Sequence, residues 1–182
     1  MENQTDIKLN NKGLSLIELL IVVAIMTIIG GTLFLSTSVA TNRHVTSCAN
    51  KISTAIEQTR GLTLGKQSGK IKFWMGSDGQ IYAQIYIDTN AYGDQVAIGH
   101  TGLSVSFVFA DTSSPSTLTT CVLDSSGAEI EFSRSTGGII KQTVGAVSFD
   151  PGSKKLKQII VTNGSKETII DVDTYTGRVN VN

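Results

Sequence analysis

The sequence predicts an α+β protein: a long N-terminal helix, apolar in its first half and amphipathic in its second, packed on an antiparallel β-sheet domain. Three observations predict it. Between Leu14 and Leu35 only one side chain, Glu18, is ionisable. From Val45 to Ile56 the apolar residues recur at spacings of three and four, the period of a helix with one buried face. From about residue 70 the period falls to two, and turn-forming residues separate the alternating runs.

The apolar half comes first. At ~1.5 Å rise per residue, a helix over residues 14–35 reaches roughly 30 Å, the thickness of a bilayer core, so this half reads as transmembrane. A carboxylate at mid-membrane costs on the order of 2.5–3.5 kcal/mol. Glu18 lies about one turn from the start, where the cost is smaller, yet its placement still asks for a reason. Residues 1–13 are hydrophilic, with Lys8 and Lys12 nearest the apolar run. The positive-inside tendency keeps them cytoplasmic and puts the C-terminal domain outside. A secretory signal peptide is cut downstream of its apolar region, which is then lost. Here the small residue lies upstream, and a cut between Gly13 and Leu14 would leave the apolar helix at the new N-terminus.

The run Lys12-Gly13-Leu14-Ser15-Leu16-Ile17-Glu18-Leu19-Leu20 resembles the class III signal of type IV pilins and type II secretion pseudopilins. The resemblance implies a pilin-like fold, cleavage after Gly13 by a prepilin peptidase and N-methylation of Leu14. It also implies a filament in which Glu18 meets the Leu14 amino group of a neighbouring subunit, a contact that specifies register. The chain departs from the family pattern at Leu14, where Phe is usual. The implied partners are the prepilin peptidase, other pilin or pseudopilin subunits, and the membrane. The implied location is the cell membrane, as a single-pass protein with a cytoplasmic N-terminus, and then a pilus or pseudopilus at the cell surface. The β-rich tail ending in Thr174-Tyr175-Thr176-Gly177-Arg178-Val179-Asn180-Val181 is similar to that of minor pseudopilins of the GspH/FimT type.

The expected organisation is therefore a leader at 1–13, a transmembrane and filament-core helix at 14–35, an amphipathic continuation at 36–66 and an antiparallel β head at 67–182. Gly30 and Gly31 interrupt the helix interior, where each costs roughly 1 kcal/mol relative to Ala. They are read either as ordinary membrane-helix glycines or as a point that yields during packing. Gly61 and Gly65 suggest the helix end. In the head, Ile81, Ala83, Ile85 and Ile87 alternate with Gln80, Tyr82, Gln84 and Tyr86, and Leu103, Val105, Phe107 and Phe109 alternate with Ser104, Ser106 and Val108. Further strands are expected at 70–75, 118–123, 129–133, 139–149, 155–162, 167–172 and 178–181. Asn163-Gly164, between two alternating runs, is the best hairpin signal.

Composition narrows the chemistry. The 182 residues carry 15 Lys+Arg and 15 Asp+Glu, so no global charge draws the chain to DNA, and DNA binding is unsupported by composition. Aromatics at 6% are too few for a stacking surface. No triad, phosphate loop or cofactor motif is present. An enzyme therefore has no residues to support it, and neither a cofactor nor a metal is expected. His44 falls on the helix and His100 in a loop, with no motif around either, and both read as surface residues. The segment Asp88-Thr89-Asn90-Ala91-Tyr92-Gly93-Asp94 offers oxygens that calcium would accept. It lacks EF-hand spacing, and a solvated loop is the better reading. Cys48 and Cys121 are candidates for one disulfide in an exported domain, with two buried thiols an equal reading. The competing class is a single-pass anchored β-domain that binds a surface ligand or DNA without polymerising.

Overall fold

The computed structural model describes residues 16–65 and 67–182, with the side chains of all but 30–41. Two compact units divide the chain, Met1–Val39 and Ala40–Asn182. One helix, α1, runs Leu16–Thr63, and eleven strands follow it. They are β1 Gly69–Met75, β2 Ile81–Ile87, β3 Asn90–Gly99, β4 Ser104–Asp111, β5 Leu118–Val122 and β6 Ala128–Phe132. The rest are β7 Ile139–Val144, β8 Val147–Phe149, β9 Lys154–Thr162, β10 Glu167–Asp173 and β11 Arg178–Val181. The architecture is α+β and pilin-like, as expected.

In the first unit the described side chains, Leu16 to Ile29, are apolar almost without interruption, and all are exposed. In the second unit α1 becomes one-sided. Val45, Cys48, Ala49, Ile52 and Ile56 are buried, while Arg43, Asn50, Lys51 and Glu57 stay in solvent. The helix ends with Thr59 and Thr63 turning their hydroxyls back onto the carbonyls of Ala55 and Thr59, each at 2.7 Å. Both threonines are fully buried, and this back-bonding satisfies hydroxyls that have no water to meet. Gly65, at φ 72°, then takes the left-handed turn that stops the helix. Arg60 in the last turn donates from Nε to the Thr176 carbonyl at 2.5 Å, tying the helix end to the β10–β11 turn.

The strands form two antiparallel sheets. One has the order β3-β2-β1-β6-β7-β8 and the other β11-β10-β9-β4-β5. Their inner faces and the helix share one core. Phe73 of β1 reaches Phe107 of β4 at 6.3 Å, and Phe109 of β4 stacks on Phe149 of β8 at 4.0 Å, so aromatic pairs join the sheets. Gln142 on β7, 1% exposed, adds a polar bridge. Its Nε2 donates to the Lys154 carbonyl at 2.5 Å, and its Oε1 accepts from the Leu156 N–H of β9 at 3.2 Å. The Asn163-Gly164 turn joins β9 to β10, with Asn163 Oδ1 accepting from the N–H groups of Ser165 and Lys166.

Two strand expectations are corrected. Residues 139–149 form two strands, because Gly145 at φ 59° reverses the chain between β7 and β8. The segment read as a loop around Asp88–Asp94 is the β2–β3 hairpin. Asp88, at φ 55°, occupies its turn and accepts from the Ser68 N–H at 3.1 Å, while Asp94 lies on β3. As the outer strand of its sheet, β3 is exposed on both faces from Asn90 to Ala97, so no alternation marks it in the sequence.

Candidate functional site: the N-terminal segment

The residues that carry the processing expectation, Gly13 and Leu14, lie outside the described residues. Glu18 lies within them, in the first turn of α1. It is the one ionisable group from Leu16 to Ile29.

What surrounds Glu18 defines the chemistry of the segment. Leu16, Ile17, Leu19, Leu20, Ile21 and Val22 are 43–80% exposed, and the same holds on all sides of the helix through Ile29. An ordinary surface helix buries one stripe; one that is apolar all round needs lipid or other helices about it. Burying such side chains stabilises by about 1.5–3 kcal/mol each, a strong drive toward any apolar surrounding. Among the described residues no helix is long and apolar enough to cross a membrane. The 14–35 run on which the spanning expectation rests begins before them, and only its backbone is described from residue 30 onward.

The same stretch decides the comparison with known proteins. Residues 8–34 match the prokaryotic N-terminal methylation motif. This is the class III signal of type IV pilins and pseudopilins, and it covers the Gly13-Leu14 junction and Glu18 together. The motif implies processing by a prepilin peptidase, membrane anchoring and assembly with other pilins, and it marks structural rather than enzymatic proteins. Neither the curated proteins nor the solved structures contain a match to the chain.

Elsewhere, the structure places the remaining sequence candidates as follows. Cys48 is buried on the inner face of α1, and Cys121 lies half-buried on β5 against the same core; both are free thiols. Desolvation pushes the Cys48 thiol up to about 11, with Lys51 partly opposing it, so the sulfur stays protonated at neutral pH. No group of three or more metal-ligating side chains occurs among the described residues, the Asp88–Asp94 segment included.

One arrangement escaped the sequence reading. The flank of α1 runs alongside the end of β3. Lys51 Nζ donates to the Ala97 carbonyl at 3.3 Å, Cys48 Sγ abuts Gly99, and the His44 ring meets the His100 ring at 4.3 Å. The approach needs Gly99, since a Cβ there would stand 3.0 Å from the Cys48 sulfur. No local signal marks this, because the contacts join residues far apart in sequence.

Proposed function

We propose that the chain is a filament subunit, a minor pilin or pseudopilin, of a type IV pilus or type II secretion-like system. The observation that carries the reading is the methylation motif falling on a helix that is uncovered on every side and bears one carboxylate in its first turn. In this account the leader 1–13 is removed after Gly13 and Leu14 is N-methylated. Helix 14–35 anchors the chain in the membrane, with its N-terminus in the cytoplasm, and then enters the filament core. The remainder, 36–66 with the β head 67–182, faces outward.

Transfer from lipid to a helix bundle exchanges one apolar surrounding for another, so it gains little hydrophobic free energy. Specificity then rests on Glu18. In a core without water, its carboxylate and the amino group of a neighbour's Leu14 are each expensive alone, and only one axial register pairs them.

The test has two arms. Intact mass of protein extracted from membranes with an active prepilin peptidase should correspond to a chain beginning at Leu14, and Gly13→Val should retain Met1–Gly13. Glu18→Ala should leave membrane insertion intact. It should also lower the amount in sheared filaments about tenfold or more, because a buried charge left without its partner costs about 3–5 kcal/mol. Filament content equal to wild type would remove Glu18 from the assembly mechanism. A processed chain that never leaves the membrane fraction would favour the anchored, non-polymerising alternative.

A further inference from the structure

His44 and His100 are the chain's two histidines, and the fold brings them together from α1 and the β3–β4 turn. Their rings meet edge to face, with centroids 4.3 Å apart and planes at 63°. Both side chains are exposed, and neither imidazole makes a hydrogen bond among the described residues. The ring nitrogens are therefore open to a ligand. The backbones beneath them are held together by the Lys51–Ala97 hydrogen bond and the Cys48–Gly99 contact.

We infer that His44 and His100 form a two-imidazole site for a divalent transition metal that prefers right-angled coordination, Ni²⁺ or Cu²⁺. The separation carries the argument. With metal–nitrogen bonds of about 2.0–2.1 Å, two imidazoles at a right angle place their centroids about 4.5 Å apart, and at a tetrahedral angle about 5 Å. The observed 4.3 Å is close to the first geometry, and the site requires the rings to turn about their side-chain torsions until one nitrogen of each meets the ion. Water fills the remaining positions, since no third metal-ligating side chain joins the pair among the described residues. Cys48, one turn along α1, is buried in the core and does not join the pair as a third ligand. A bound ion would fasten the helix to the β3–β4 turn. Because the site exists only in the folded head, binding would stabilise the fold.

The full chain, purified in detergent without a histidine tag, would be titrated with Ni²⁺ by calorimetry and followed by thermal unfolding. One Ni²⁺ per chain is expected, with a midpoint rise of about 3–6 °C at ten times the dissociation constant. His44→Ala and His100→Ala should each weaken binding about tenfold or more and abolish the rise. Circular dichroism should show both variants folded, as expected for exposed positions. With Cu²⁺, electron paramagnetic resonance should show two imidazole nitrogens in the wild type and one in each variant. Absence of binding at millimolar Ni²⁺ would overturn the site. So would variants that each keep half the capacity at unchanged affinity, since that outcome describes two independent imidazoles.

Discussion

Gly99→Ala should loosen the seam between α1 and the end of β3, and the structure sets the scale. An alanine Cβ would stand 2.9 Å from Ile81 Cδ1, 3.0 Å from Cys48 Sγ and 3.1 Å from Ile81 Cβ. All three distances are shorter than the ~3.5–4.0 Å of favourable contact between carbon atoms. Ile81 Cδ1 can rotate away, but Ile81 Cβ and the Cys48 sulfur are fixed to backbones whose side chains are 0% and 1% exposed. Gly99 has no positive φ, so the cost is steric and not conformational. Overpacking of this kind costs about 1–3 kcal/mol, and a domain of this size loses about 2–4 °C per kcal/mol, giving a midpoint lower by about 2–12 °C. Thermal unfolding followed by circular dichroism measures it. A double-mutant cycle identifies the cause: Cys48→Ala removes the sulfur, so the double variant should lose less than the sum of the single losses, by about 0.5 kcal/mol or more. A midpoint unchanged to within about a degree, or strict additivity, would refute the steric account.

Three other outcomes are expected. Gln142→Leu should destabilise the head by about 2–4 kcal/mol in urea unfolding, because it leaves the Lys154 carbonyl and the Leu156 N–H buried without their partner; a loss below about 0.5 kcal/mol would mean the bridge between sheets is dispensable. Burial raises the Cys48 pKa from 9.0 to about 11, so the folded state holds that proton more tightly. The stabilisation is full below pH 9 and is lost as pH rises through 11. Urea midpoints across that window should fall more steeply for wild type than for Cys48→Ala, and parallel profiles would contradict this. A chain truncated to begin at Thr41 should fold as a soluble monomer, since the buried stripe Val45 to Ile56 packs within the Ala40–Asn182 unit; a disordered circular dichroism spectrum would show that the head needs the apolar half.

The N-terminal signal was legible because it is local: the methylation motif matches one continuous stretch, residues 8–34, and needs no distant residue. The amphipathic stripe of α1 and most strands were legible for the same reason, since a helix or strand with one buried face writes its period into the sequence. Where a segment has no buried face the period vanishes, and β3, exposed on both sides from Asn90 to Ala97, passed for a loop. A run of strand-forming residues likewise hid the reversal at Gly145. The partition into two sheets lay beyond sequence reading, because it depends on β1 pairing with β6 and β4 with β9 across long stretches of chain. The meeting of His44 and His100 is of that kind too: two unremarkable surface residues in sequence, they become neighbours only where a glycine lets the helix close on the strand. Sequence determined what each segment is, since backbone periodicity and signal spacing are short-range. Tertiary structure alone decided which segments touch, since that choice is made by the packing of one shared core.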